Sequence, residues 1–97
     1  MKKVDNPVRS AYELHLYFVG PSLRTNLAIN NLKKLCSERL AGRCKLRYFD
    51  LYENPGLARD AQIVAAPTLV KKNPLPERRV VGDLSNLDRV ISGLDLR

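Results

Sequence analysis

Few side chains in this 97-residue chain can do covalent or acid-base chemistry, and their placement excludes most of it. Cys36 and Cys44 stand eight positions apart. A redox thiol works as a thiolate, favoured at the start of a helix where the helix dipole lowers its pKa. The place where such a thiol would stand carries "GPSLRT", residues 20–25, with no cysteine. Cys36 falls late in a helical pattern and Cys44 opens a strand pattern, so both read as packing residues. His15 is the single histidine, which leaves neither a histidine-rich metal site nor a Ser-His-Asp triad to assemble. It reads as a half-exposed strand residue beside Glu13 and Tyr17. Asp83, Asp88 and Asp95 read as caps and surface charges, and the five glycines are too scattered for a phosphate loop. No catalytic set, metal or cofactor is expected.

The cations carry more information. Lys71, Lys72, Arg78 and Arg79 flank the prolines of "KKNPLPERR", and a hairpin over residues 69–81 would gather them. That cluster is either a docking patch for an acidic surface or a charged sheet edge that resists aggregation. A nucleic-acid partner would call for stacking aromatics as well. Most of Tyr12, Tyr17, Phe18, Tyr48, Phe49 and Tyr52 instead belong to core strand patterns, so nucleic acid is not favoured. The net charge of +7 attracts acidic partners at long range without selecting one.

The elements that would hold these residues follow from periodicity. "YELHLYFVG", residues 12–20, alternates Leu14, Leu16 and Phe18 with Glu13, His15 and Tyr17, which predicts a strand. Ser22 can cap a helix whose Ala28, Leu32, Leu35, Cys36 and Leu40 recur at helical spacing, ending at Gly42. "CKLRYFDL", residues 44–51, sets Leu46 and Tyr48 against Lys45 and Arg47 as a second strand. With short connections, this makes a βαβ unit with parallel strands. Turn chemistry at Asn54, Pro55 and Gly56 precedes a short helical pattern through Leu57, Ala61 and Val64. "TLVKK" and "RRVVG" predict strands around a turn at "NPLP". A last helix, capped by Asp83 or Ser85, places Leu84, Leu87, Val90 and Ile91 on one face, although Val90, Ile91 and Gly93 suit a strand better. These local preferences conflict, which points to competing structures.

The order βαβαββα is the thioredoxin layout of an α/β domain, and it gives Pro67 in "IVAAPTL" the place of a cis proline before the third strand. Residues 1–10 read as an arm and 11–97 as one domain. "MKKVDNPVRSAY" lacks the apolar stretch of a signal peptide, and no run reaches the roughly 20 apolar residues of a membrane helix, so the expected compartment is the cytoplasm.

"LYFVG", "DLYENPGLA", "IVAAPTLVK", "NPLPERRVVGDLSN" and "GLDL" together resemble the KaiB family of circadian-clock proteins from about Tyr12 to Leu96. The resemblance implies a non-enzymatic regulatory protein that binds a KaiC-like ATPase, with a KaiA-like or histidine-kinase partner as a further possibility. It also implies two folds: a βαββααβ ground state, assembled as a tetramer or dimer and favoured by mass action, and the thioredoxin-like partner-bound state. By motif, Tyr12, Gly93 and Asp95 match switch positions, with Pro67 at the rebuilt junction. Lys71, Lys72, Arg78 and Arg79 match positions tied to partner binding. Lys45 and Arg47 lie on the strand that meets KaiA, where the strip they form with Cys44 is more basic than expected of a cyanobacterial clock protein. A stress-response role in a bacterium without KaiA therefore stays open beside daily timing. The alternatives of another class are a thioredoxin-fold protein with redox-related or other activity and a basic nucleic-acid-binding module.

Overall fold

A computed structural model describes residues 12–96 of the chain, so the arm expected at residues 1–10 lies outside the described residues. Its strands are β1 (Tyr12–Phe18), β2 (Cys44–Asp50), β3 (Thr68–Asn73) and β4 (Arg78–Val81). Its helices are α1 (Leu23–Arg39), α2 (Gly56–Asp60) and α3 (Leu87–Gly93). The chain order is βαβαββα, and the strands lie in the order β2-β1-β3-β4. β1 runs parallel to β2 and antiparallel to β3, and β3 runs antiparallel to β4. This is the thioredoxin-like arrangement; the βαββααβ ground state is not the one this chain adopts here.

Local chemistry explains α1. Ser22 sits in extended backbone, and its Oγ accepts from the Thr25 amide at 3.0 Å, satisfying one of the first-turn donors. Thr25 in turn donates its hydroxyl to the Gly20 carbonyl at 2.9 Å. Ala28, Leu32, Leu35, Cys36 and Leu40 form the buried stripe that the periodicity predicts. The helix ends where Ala41 and Gly42 take φ values of 54° and 72°, with the Gly42 amide bonded back to the Cys36 carbonyl at 2.8 Å.

The sheet is covered unequally. On one face, Leu14, Leu16 and Leu69 pack with α1 and with Val90 and Leu94 from the α3 end of the chain. On the other face, Tyr17 and Val70 pack with Leu51 and the short α2. Strand β1 thus lies in the sheet centre with both faces in contact, while β2 is an edge.

Four local expectations need correction. Tyr48 is 40 % exposed rather than a core residue, because β2 has no neighbour on its outer side. Val64 lies beyond α2, which closes at Asp60, and projects into solvent. Helix α3 is capped by Asn86, whose side chain accepts from the Arg89 amide at 3.1 Å, and not by Asp83 or Ser85. The segment around Val90 and Ile91 is helical despite its strand-like composition, because Val90 is buried and Ile91 packs against the same core. Tertiary packing here outweighs a propensity difference of a few tenths of a kcal/mol.

The Ala66–Pro67 bond is cis, as the fold order leads one to expect, and so are Asn73–Pro74 and Leu75–Pro76 in the β3–β4 turn. Proline costs β3 no ladder bond, since Pro67 precedes the strand and its carbonyl accepts from the Gly82 amide at 2.9 Å.

Candidate docking surfaces

Strand alternation divides the cations that the sequence groups. The pairs His15↔Arg47, His15↔Val70 and Val70↔Arg79 form one row across the sheet. Lys45 and Lys72, two residues along from Arg47 and Val70, share that row's face. Four of the six expected partner-binding residues, Lys45, Arg47, Lys72 and Arg79, therefore lie on the α2 side. Lys71 and Arg78 lie on the opposite side, paired with each other across β3 and β4. Lys71 is only 1 % exposed, so it is a core side chain and not a contact residue.

Those on the α2 side are engaged to different degrees. Lys72 pairs with Glu77 at 2.9 Å. Arg79 donates to the carbonyls of Gln62 at 2.8 Å and Ala61 at 3.1 Å, which ties β4 to the end of α2. Arg47 lies over the Phe49 ring, 5.9 Å from its centre, and Phe49 stacks on Tyr17 at 4.9 Å. Lys45 is exposed beside it on the open edge. His15 is bonded to Glu13 at 2.7 Å, and that bond, opposed in part by burial, holds the Glu13 carboxyl below the usual carboxylate range. His15 is a positioned strand residue, but its side chain is only 12 % exposed rather than half-exposed.

A second surface escapes the sequence reading. Val19, Leu51, Pro55, Ala58, Ile63 and Ala66 line an apolar groove of about 320 Å³ between the ends of β1 and β2, α2 and the loop before Pro67. Val64 on its rim is 96 % exposed, and Val19 is 53 % exposed. Tyr52, 75 % exposed, sits against Gly20, with its Cβ 3.9 Å from where a side chain on Gly20 would begin. The frame is firm: the Asp50 carboxylate accepts from the amides of Gly20 at 2.8 Å and Tyr52 at 2.9 Å, and the Leu51 amide donates to the Phe18 carbonyl at 2.7 Å. Exposed apolar side chains gathered on a rigid frame are the usual mark of a protein interface. In the sequence, Val64 reads as part of a short helical pattern with Leu57 and Ala61, because apolar periodicity does not distinguish a core residue from an exposed docking residue.

The two thiols meet in the layer between α1 and β2. Burial pushes the Cys44 thiol far above its ordinary value, and the adjacent Cys36 adds to the effect. Both cysteines are free. A thiol held neutral is a poor nucleophile, so iodoacetamide should modify Cys44 far more slowly in the folded chain than in urea. Since the folded pKa lies above the unfolded value near 9.0, this group's contribution to stability is complete below that pH and is lost as pH rises beyond it. Urea unfolding from about pH 8 to about pH 10.5 should show a decline that is smaller in Cys44→Ala; equal declines would refute the assignment.

Of the positions matched to switching, Tyr12 is buried and its amide donates to the Arg43 carbonyl at 3.2 Å. Asp95 holds a φ of 54°, and Gly93 closes α3. Gly93 stands against Val80 of β4, and Pro67 directly follows Ala66, which lines the groove.

The geometry defines a thioredoxin-like domain whose first helix starts without a thiol and which carries an exposed apolar groove at the end of its sheet. Comparisons with solved structures agree on the fold. The N-terminal domain of Synechococcus elongatus SasA superposes with a TM-score of 0.72 at 18% identity, over 100% of this chain and 95% of that one. Mitochondrial thioredoxin 3 of Saccharomyces cerevisiae does so with a TM-score of 0.68 at 16% identity, over 91% and 80%. The sequence pattern of the KaiB domain matches residues 15–96. The circadian clock oscillator protein KaiB of Synechococcus elongatus is 41% identical over 88 residues, covering 91% of this chain and 86% of that protein. The circadian clock protein KaiB3 of Synechocystis is 39% identical over 83 residues, covering 86% and 81%. The chain belongs to the KaiB family. Among the described residues no helix is long and apolar enough to cross a membrane.

Proposed function

We propose that this protein is a non-enzymatic regulator that docks on a KaiC-like ATPase and modulates its phosphorylation, with timing or stress adaptation as the output. The reading is carried by the apolar groove rimmed by Val19 and Val64, a rigid and exposed surface at the end of the sheet. Membership of a family whose relatives are circadian clock proteins supports it. The basic β2 edge, with Lys45 and Arg47, is the natural site for a second partner, KaiA-like or a histidine kinase. A homo-oligomeric ground state that hides the groove, with Tyr12, Pro67, Gly93 and Asp95 biasing the exchange, belongs to the same proposal.

Binding of the purified protein to the KaiC-like ATPase of the same organism tests it. Wild type should bind, and Val64→Asp should bind at least about tenfold more weakly, since a charge at an apolar interface must be desolvated. Val64 is almost fully exposed and belongs to neither core cluster, so circular dichroism of the variant should match wild type. No binding by wild type, or unchanged affinity in Val64→Asp, would overturn the proposal.

A further inference from the structure

The most distinctive stretch of the chain, "VVGDLSN" at residues 80–86, plays no part in the surfaces described above. It forms one wall of a second cavity of about 320 Å³, on the α1–α3 side of the molecule. Arg24 at the start of α1 and Arg89 in α3 line it as well. This volume is at the small end of the range for ligand pockets.

Three features of the cavity bear on what it could hold. Its wall is fixed: the Gly82 amide donates to the Pro67 carbonyl, the Asn31 side chain donates to the Asp83 carbonyl at 2.9 Å, and the Ser85 amide donates to the Asp83 carboxylate at 3.0 Å. Its floor is apolar, with Val80 beside the buried Leu84 and Val90. Its charge is unbalanced. Among the described residues neither Arg24 nor Arg89 has a side-chain hydrogen bond or ion pair, whereas Arg39 and Arg79 each have an acidic partner. Asp83 is the one acid in the lining, and its carboxyl is held below the usual range first by Ser85 and then by the charge of Arg24. Two guanidinium groups against one carboxylate leave a single positive charge.

The geometry points to a binding site for a small organic monocarboxylate, its alkyl chain against Val80 and Val90 and its acid group between Arg24 and Arg89. Guanidinium groups suit the planar carboxylate, which they can bind through paired hydrogen bonds. A dianion such as a phosphate monoester fits less well, because Asp83 would repel its second charge. The apolar floor also sets a preference for an alkyl acid over acetate.

Sodium hexanoate is the test probe, added to the isotope-labelled full chain at constant ionic strength and followed by amide chemical shifts. Saturable shifts at Gly82, Asp83, Ser85 and Arg89, with a dissociation constant in the low millimolar range, are expected. Hexanol, acetate and inorganic phosphate should each bind at least about tenfold more weakly, and Arg24→Gln and Arg89→Gln should each weaken hexanoate by about tenfold. Both arginines are exposed, and the unperturbed remainder of each variant's spectrum verifies its fold. The site is refuted if hexanoate produces no saturable shifts, if hexanol or phosphate matches it, or if both arginine variants retain wild-type affinity.

Discussion

Lys71→Met should make the protein more stable than wild type, by about 2 kcal/mol. Lys71 is buried among the leucines of the α1-facing core, and among the described residues no acid or carbonyl meets its amine. An amine taken from water without a partner costs stability, yet the four methylenes of the same side chain pack like an aliphatic residue. Methionine keeps most of that packing and removes the amine. Lys71→Ala separates the two effects, because it discards methylenes worth about 0.8 kcal/mol each and so offsets the gain. The expected order of urea midpoints is Met above wild type, with Ala at or below wild type. A Lys71→Met protein less stable than wild type would mean that the amine contributes favourably where it stands.

At Gly93 two effects of similar size oppose each other. Alanine gains about 1 kcal/mol of helix propensity over glycine. A methyl group on Gly93 would, however, start 2.9 Å from Cγ2 of Val80, closer than the 3.5 to 4 Å of an ordinary carbon contact. Valine is branched at Cβ and yields poorly, and overpacking of this kind costs about 1–3 kcal/mol. Gly93→Ala alone should therefore change stability little or lower it, while in a Val80→Ala background it should stabilise by about 1 kcal/mol. Additivity in that double-mutant cycle would show that the two residues do not compete for space. The same contact opposes any rise in the population of this fold from a Gly93→Ala, Asp95→Arg double variant, whose gain would come from helix propensity alone. Asp95 adds to the opposition: at a φ of 54° aspartate is better tolerated than arginine.

How much of this was legible in the sequence depends on what each residue's neighbours decide. The elements of the βαβ unit were readable, because Ser22, the Leu32–Leu35 stripe and the Gly42 stop act within a few residues of themselves. The two strands around "NPLP" were readable for the same reason. Tyr48 and Lys71 were misread in opposite senses. Alternation assigns Tyr48 inward and the hairpin of cations assigns Lys71 to a surface patch, but inward and outward depend on which strands lie alongside and which helix covers the face. The expected basic cluster failed as a cluster because adjacent strand residues point to opposite faces, which sends Lys71 and Lys72 apart. The groove around Val19 and Val64 was hidden because its parts come from four separate segments.

The strand order carries one more consequence. Within the sheet, residues 12–50 and 68–81 meet along a single seam, the antiparallel pairing of β1 with β3, where a register shift lies between Glu13 and Leu14. If that seam opens, β3 and β4 can leave together without breaking any bond between β1 and β2. The chain is thus built as an N-terminal βαβ module and a C-terminal module zipped together along one strand pairing, with Leu69, Val90 and Leu94 completing the core they share. Opening along that pairing would expose the core that the two modules share.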